Sequence, residues 1–509
     1  ISGASRTSGQ SGYDGLNNAW KIESTNTGQS RLNQVVSISG VNTISFYAKA
    51  GTANYIMPYI IGSGDPRVFF NLSTGTIEQS VGTIDASIED AGNGWYRCSM
   101  AFDRTSSSLW IFVGNTNGSF NSAVGDSIYI QNAQLETGLV ATDYLNSTSV
   151  TAKAGVLIDL PRINFDANGE NGALLLEPSR QNLVQYSEYF GAWTLSNSTI
   201  TSNATTSPEG VNNASLYTST NVTNYVRNII TASNATYTLS VFVKRVSTDE
   251  FRMNFSDGVT GEIRYVFNLA DETSTLTKSG GTISGYSADF ENYGNGWYRL
   301  HITATTNAGT AITAYFETDN ETGSFYLYGA MLEQNASYQS SYIPNHGTSG
   351  GVTRAADSCS VTGASDVIGQ TEGTLFAEFT YEGNVSGSLE ISPLYIGTGT
   401  YATAIYIDIY QNDIYGVVWN GGVKQVGINC GSLSVGRHKV AVAYKANDIV
   451  VYVDGVLGGS DTSATIPACN QIHLGEVGSS TSIQKYSQQQ ALLFKTRLTN
   501  AELATLTTL

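Results

Sequence analysis

Charge is scarce in this 509-residue chain, and positive charge is scarcest: 13% of residues are charged, with 25 Lys and Arg against 42 Asp and Glu. Ordinary soluble proteins carry about 25%. A formal charge of −17 without a basic cluster excludes a nucleic-acid binder and a binder of anionic membranes. No apolar run approaches the roughly 18 residues that cross a bilayer, so no membrane insertion is expected. The four cysteines, Cys98, Cys359, Cys430 and Cys469, form no CxxC pair and match neither a zinc site nor a dense disulfide scaffold, which leaves the redox compartment open.

Catalytic signatures are missing too. The four histidines, His301, His346, His438 and His473, stand far apart with no HExxH or HxH spacing. No GxSxG elbow occurs, and Ser460 in GGSD lies beside a hairpin rather than between a strand and a helix. Adjacent carboxylates such as Glu89/Asp90 and Asp249/Glu250 point to opposite faces of a strand and cannot form a glycosidase dyad. A protein without enzymatic activity and without a cofactor is the expectation.

What is present is repetition. The hexapeptide GNGWYR occurs at 92–97 and at 294–299, and the match extends outward. DGLNNA (14–19) corresponds to EGVNNA (209–214), GSF (118–120) to GSF (323–325), and AQLE (133–136) to AMLE (330–333). The offsets of 202, 195, 205 and 197 differ only by loop-sized insertions. Each copy alternates Val, Ile, Thr, Tyr and Phe with polar residues between Gly, Asn, Asp and Ser turns, the pattern of an antiparallel sandwich. Gly-Asn-Gly supplies a turn of positive φ, and Trp95 and Trp297 open the following strand as aromatic anchors.

The fold class expected is all-β, with three antiparallel sandwiches in tandem: a first jelly roll at 1–149, a connecting segment at 150–181, a second jelly roll at 182–346 and a final sandwich at 347–509. Residues 182–201 have no counterpart ahead of the first copy, so the first sandwich is expected to lack or borrow its opening strand. In the final domain, Asp454-Gly455 marks a two-residue hairpin, and Thr499 with Glu502 forms a capping box for a terminal helix.

Sugar recognition requires aromatic platforms flanked by hydrogen-bonding groups on a rigid sheet. In AIYIDIYQNDIYGVVWNGG, a turn at Asn412-Asp413 would pair Tyr410 with Tyr415, Asp408 with Val417 and Tyr406 with Trp419. Ile405, Ile407 and Ile409 would then face the core with Gly416 and Val418, and the opposite face would show Tyr406, Asp408, Tyr410, Tyr415 and Trp419. Asp408 could orient a sugar hydroxyl or hold a cation such as Ca2+. The bland alternative, favoured by aromatic cross-strand pairing itself, is that these rings pack under a loop or against another subunit. Trp110, aligned with Tyr315 through the GSF match, is a weaker candidate pair.

VYVDGVLGG and LLFKTRLTNAELATL resemble the laminin-G/concanavalin A-like sandwich. The repeats, with the segment from Arg162 to Trp193, GNGWYR and MLEQNASYQSSYIP…GVTRAAD, resemble the jelly-roll modules of bacteriophage fibre, spike and other appendage proteins. That resemblance implies a non-catalytic appendage on a virion surface, outside the host cell, that binds bacterial surface glycans, contacts other virion proteins and assembles as a homo-oligomer, commonly a trimer. Its rivals are a purely structural or decorative virion component and a secreted bacterial carbohydrate-active enzyme or adhesin carrying accessory binding modules.

Overall fold

The computed structural model describes residues 1–62, 64–147, 161–165, 170–381, 390–475 and 485–509; much of the expected connecting segment, 150–160 and 166–169, lies outside the described residues. The chain divides into one compact unit of residues 1–154 and 181–352 and another of residues 155–180 and 353–509. Both are built of antiparallel sheets, as the alternation of polarity predicts, and the fold is all-β.

The first unit holds two sandwiches with one topology. In the first, a six-stranded sheet runs Ala4–Gln10, Ala19–Ser24, Ser127–Thr137, Val41–Ala50, Trp95–Asp103, Asp85–Gly92. In the second, Ser198–Thr205, Ala214–Ser219, Ser324–Gln334, Thr236–Arg245, Trp297–Thr306 and Ile283–Gly294 follow the same order. The facing sheets also correspond strand for strand, except that the second begins with Thr194–Ser196. This corrects the expectation for the opening strand. Residues 4–10 do form an edge strand of the first sandwich, pairing with 19–24, and in the two large sheets the strand without a counterpart is the three-residue Thr194–Ser196.

The hexapeptide is a hairpin. Asn93 and Asn295 sit at φ 53° and 52° and the glycines after them at 76° and 78°, the left-handed pair that a two-residue turn between twisted strands requires. Trp95 and Trp297 are 2% and 3% exposed. Trp297 is buried outside the inter-sheet core, in a cluster with Phe242 and Tyr328 and with Tyr342 packed on it. Strand alternation explains this, since Tyr298, Leu300 and Ile302 turn to the core instead.

In the second unit, a seven-stranded sheet runs Ile163–Asn164, Ala173–Leu176, Tyr486–Phe494, Glu372–Tyr381, Gly436–Lys445, Asp448–Val453, Val456–Asp461. It faces a six-stranded sheet that includes Ala404–Tyr410 and Asp413–Asn420. Part of the segment expected to be a connector thus supplies strands to this sandwich, with Leu174 opposite Gln488. A buried ion cluster holds it: Glu177, fully buried, accepts from Arg162 (2.8 Å) and Arg354 (2.6 Å), and Arg162 also meets Asp357. Asp454 and Gly455 form the expected hairpin, both at positive φ. The helix Asn500–Leu506 carries the Thr499/Glu502 capping box and seats Leu503 on Phe376, Ala441, Ala443, Val450 and Tyr452. That covers one part of the outer face of the seven-stranded sheet and leaves another part open.

Candidate functional site

The hairpin at 404–420 forms, with a different register from that expected. Its turn is Gln411-Asn412, at φ 51° and 69°, so Tyr410 pairs with Asp413, Asp408 with Tyr415, Tyr406 with Val417 and Ala404 with Trp419. Asp413 does not serve in the turn because the next strand engages its carboxylate: Ser432 Oγ donates at 2.5 Å and Asn429 Nδ2 at 3.0 Å. Each cross-strand partner shifts by two residues, an even number, so the faces survive. Ile405, Ile407, Ile409 and Val418 enter the core, and a Cβ on Gly416 would collide with Val451.

The opposite face is largely closed. Tyr406 is 6% and Asp408 7% exposed. Tyr406 packs against Tyr395 and Tyr401, with ring centroids 6.1 and 5.0 Å apart, and Tyr395 Oη donates to the Thr400 carbonyl at 2.7 Å, drawing the 398–403 loop over the rings. Tyr410, Tyr415 and Trp419 remain half-buried at the rim, and burial raises the Tyr415 phenol. This is packing under a loop, not an open platform.

Trp110 and Tyr315 prove to be equivalent. Across the first sandwich a row of directly opposed residues reads Asn33, Trp110, Tyr59, Arg67, Val81. Across the second, the matching row reads Arg227, Tyr315, Asn254, Arg264, Lys278. In the first row Arg31 lies 4.0 Å from the Trp110 ring centroid, and Tyr59 lies parallel to Trp110 at 5.8 Å and 17°. Burial and then Asp65 push the Tyr59 phenol up to about 12. In the second, Arg227 donates to Tyr315 Oη at 3.2 Å. Two residues along each strand, the partnered Met57 and Phe112 of the first sandwich are replaced by Arg252 and Glu317, ion-paired at 2.5 Å. The protein's own side chains occupy the ring surfaces, so both rows are built mainly as cross-strand ladders.

The open part of the seven-stranded sheet is a groove of about 570 Å³. Ser487, Thr380 and Arg437 form one row across three strands, and Gln490 and Glu378 stand in the next. A register shift at Glu378/Phe379 breaks the alternation of the strand Tyr486–Phe494, so that neighbouring Gln489 and Gln490 both line the groove. Glu378 Oε1 accepts from Arg437 Nε at 2.7 Å, and Gln489 Nε2 donates to Thr380 Oγ1 at 2.7 Å. Gln489 Oε1 is a buried acceptor with no partner among the described residues. Phe165, 56% exposed, borders the groove with Asn164 and Asn171. These residues were missed in the sequence. The available signal was QQQ at 488–490, three amides in succession where a strand should alternate.

Among the described residues, no group of three or more His, Cys, Asp and Glu could hold a metal ion. No family model matches the chain, and no curated protein matches it. Among solved structures it is similar to Ruminococcus gnavus IT-sialidase CBM40, at 17% identity over 28% of this chain and 85% of that one, with a TM-score of 0.24. Mouse laminin α1 chain domains LG4-5 match at 11% identity over 52% of this chain and 85% of that one, with a TM-score of 0.19. Trypanosoma rangeli sialidase matches at 11% identity over 99% and 98%, with a TM-score of 0.23. At such scores the likeness reaches no site and no ligand.

Proposed function

We propose that the protein is a non-catalytic glycan binder of an extracellular, phage-type appendage, reading bacterial surface polysaccharide through the groove on the seven-stranded sheet. The observation that carries the glycan reading is the groove's composition. Amides, hydroxyls and a guanidinium–carboxylate pair converge on a rigid sheet beside an exposed aromatic ring, the combination that matches the alternating hydroxyls and apolar faces of a sugar. Glu378 is committed to Arg437, which suits it to fixed hydrogen bonding rather than proton transfer. The virion assignment rests on the sequence resemblance, and homotrimeric assembly would give weak sites avidity.

Binding of the intact chain to a panel of purified bacterial surface polysaccharides tests the reading. Phe165→Ala and Gln490→Ala should each weaken binding about tenfold, equivalent to about 1.4 kcal/mol. Failure to retain any polysaccharide, or variants that bind like the parent, would reject it.

A further inference from the structure

A second cavity lies within the first unit, between its two sandwiches. It is a cleft of about 260 Å³. One wall comes from paired strands of the first sandwich, which present Asp85, Ser87, Glu89 and Ser99; the other comes from Asn203 and Asn212 of the second. Asn203 stands at φ 54°, and its Nδ2 donates to Asp85 Oδ2 at 2.8 Å and to the Leu139 carbonyl at 3.1 Å. Both partners are acceptors, so the amide cannot be reversed. Its Oδ1 is left as a buried acceptor without a partner among the described residues. Arg97, across from Glu89 on the neighbouring strand, sends its guanidinium to the Thr142 carbonyl. Ser87 and Ser99 bond to each other at 2.8 Å.

The wall is therefore rich in acceptors and carries two carboxylates. Its ligand should be rich in donors, and with two carboxylates against the single Arg97 guanidinium, itself turned to the Thr142 carbonyl, it should not be an anion. The volume falls just below the 300–1,000 Å³ of typical small-molecule pockets, which suits one ring rather than a chain. We propose that this cleft binds a single neutral sugar ring, with hydroxyls donating to the exposed Asp85 and Glu89 carboxylates and meeting the Ser87 and Ser99 hydroxyls. The site is separate from the groove on the seven-stranded sheet and does not depend on it.

Calorimetric titration of the intact protein with glucose, galactose and N-acetylglucosamine, and with glucuronate as the anionic probe, decides the matter. At least one neutral sugar should bind and glucuronate should not. Ser99→Leu, which fills the cleft, should abolish that binding. Glu89→Gln, at an exposed position that folding tolerates, should weaken it about tenfold, as expected for losing a charged acceptor. Absence of binding by all three neutral sugars, or binding unchanged in both variants, would overturn the proposal. So would binding that Phe165→Ala removes and Ser99→Leu spares, because it would belong to the other groove.

Discussion

Arg299 and Glu333 grip the same residue, Ser340, from opposite sides. Arg299 Nη1 donates to its carbonyl oxygen at 2.6 Å, while Glu333 accepts from its backbone N–H at 3.0 Å and its hydroxyl at 2.6 Å. The first sandwich repeats the device: Arg97 donates to the Thr142 carbonyl, and Glu136 accepts from the Thr142 N–H at 3.1 Å and its hydroxyl at 2.5 Å. GNGWYR and A-x-L-E are therefore two halves of one clamp that pins the segment leaving each sandwich. Arg299 is 1% exposed and Glu333 is fully buried. Arg299→Ala should cost about 3 kcal/mol in urea unfolding, because it removes one member of a buried polar network and leaves others unmatched. Arg97→Ala, in the half-buried copy, should cost less.

Truncation should also separate the two faces of the C-terminal sandwich. Tyr406→Ala removes a ring packed between Tyr395 and Tyr401 and should lower stability by about 3 kcal/mol, as core truncations do. Phe165→Ala, at an exposed position, should leave the melting temperature unchanged while weakening glycan binding. Calorimetric melts of the two variants check this directly.

Glu188 makes stability depend on pH. Burial first, and then the charge of Glu209, raises its carboxyl from 4.5 to about 8. Tyr342 Oη donates to it at 3.0 Å, and Asn213 Nδ2 lies 3.4 Å from it and 3.1 Å from Glu209. Below 4.5 the folded and unfolded chains both hold this proton. Between 4.5 and about 8 only the folded chain does, so the contribution of Glu188 to stability declines as pH rises through that window and levels off above it. Glu188→Gln stands in for the protonated carboxyl, with one acceptor oxygen and one donating group, and never acquires the charge. Its melting temperature should fall less than the parent's between about pH 5 and about pH 9.

The cluster around Glu177 should behave as a lock on residues 162–177. Glu177→Ala strands the Arg162 and Arg354 guanidinium groups, and breaking a buried pair in this way costs about 3–5 kcal/mol. Limited proteolysis should then cut near Arg162 faster than in the parent chain.

Local features of the fold were legible from the residues alone. Alternating polarity set the strands, Asn-Gly and Asp-Gly set two-residue turns, and Thr499 with Glu502 set the helix start, because each rests on interactions a few residues long. The repeated motifs predicted two sandwiches, and the strand orders agree. At 404–420 the faces were readable but the register was not: the turn expected at Asn412-Asp413 falls one residue earlier, at Gln411-Asn412, and Ser432 and Asn429 on the next strand take Asp413. Which face is open was decided only by tertiary structure. The loop that covers Tyr406 is closed by Tyr395, and the groove gathers Phe165, Thr380, Arg437 and Gln490 from four separate stretches of chain. Alternation assigns a side chain to a face; long-range strand pairing determines what else lies over it.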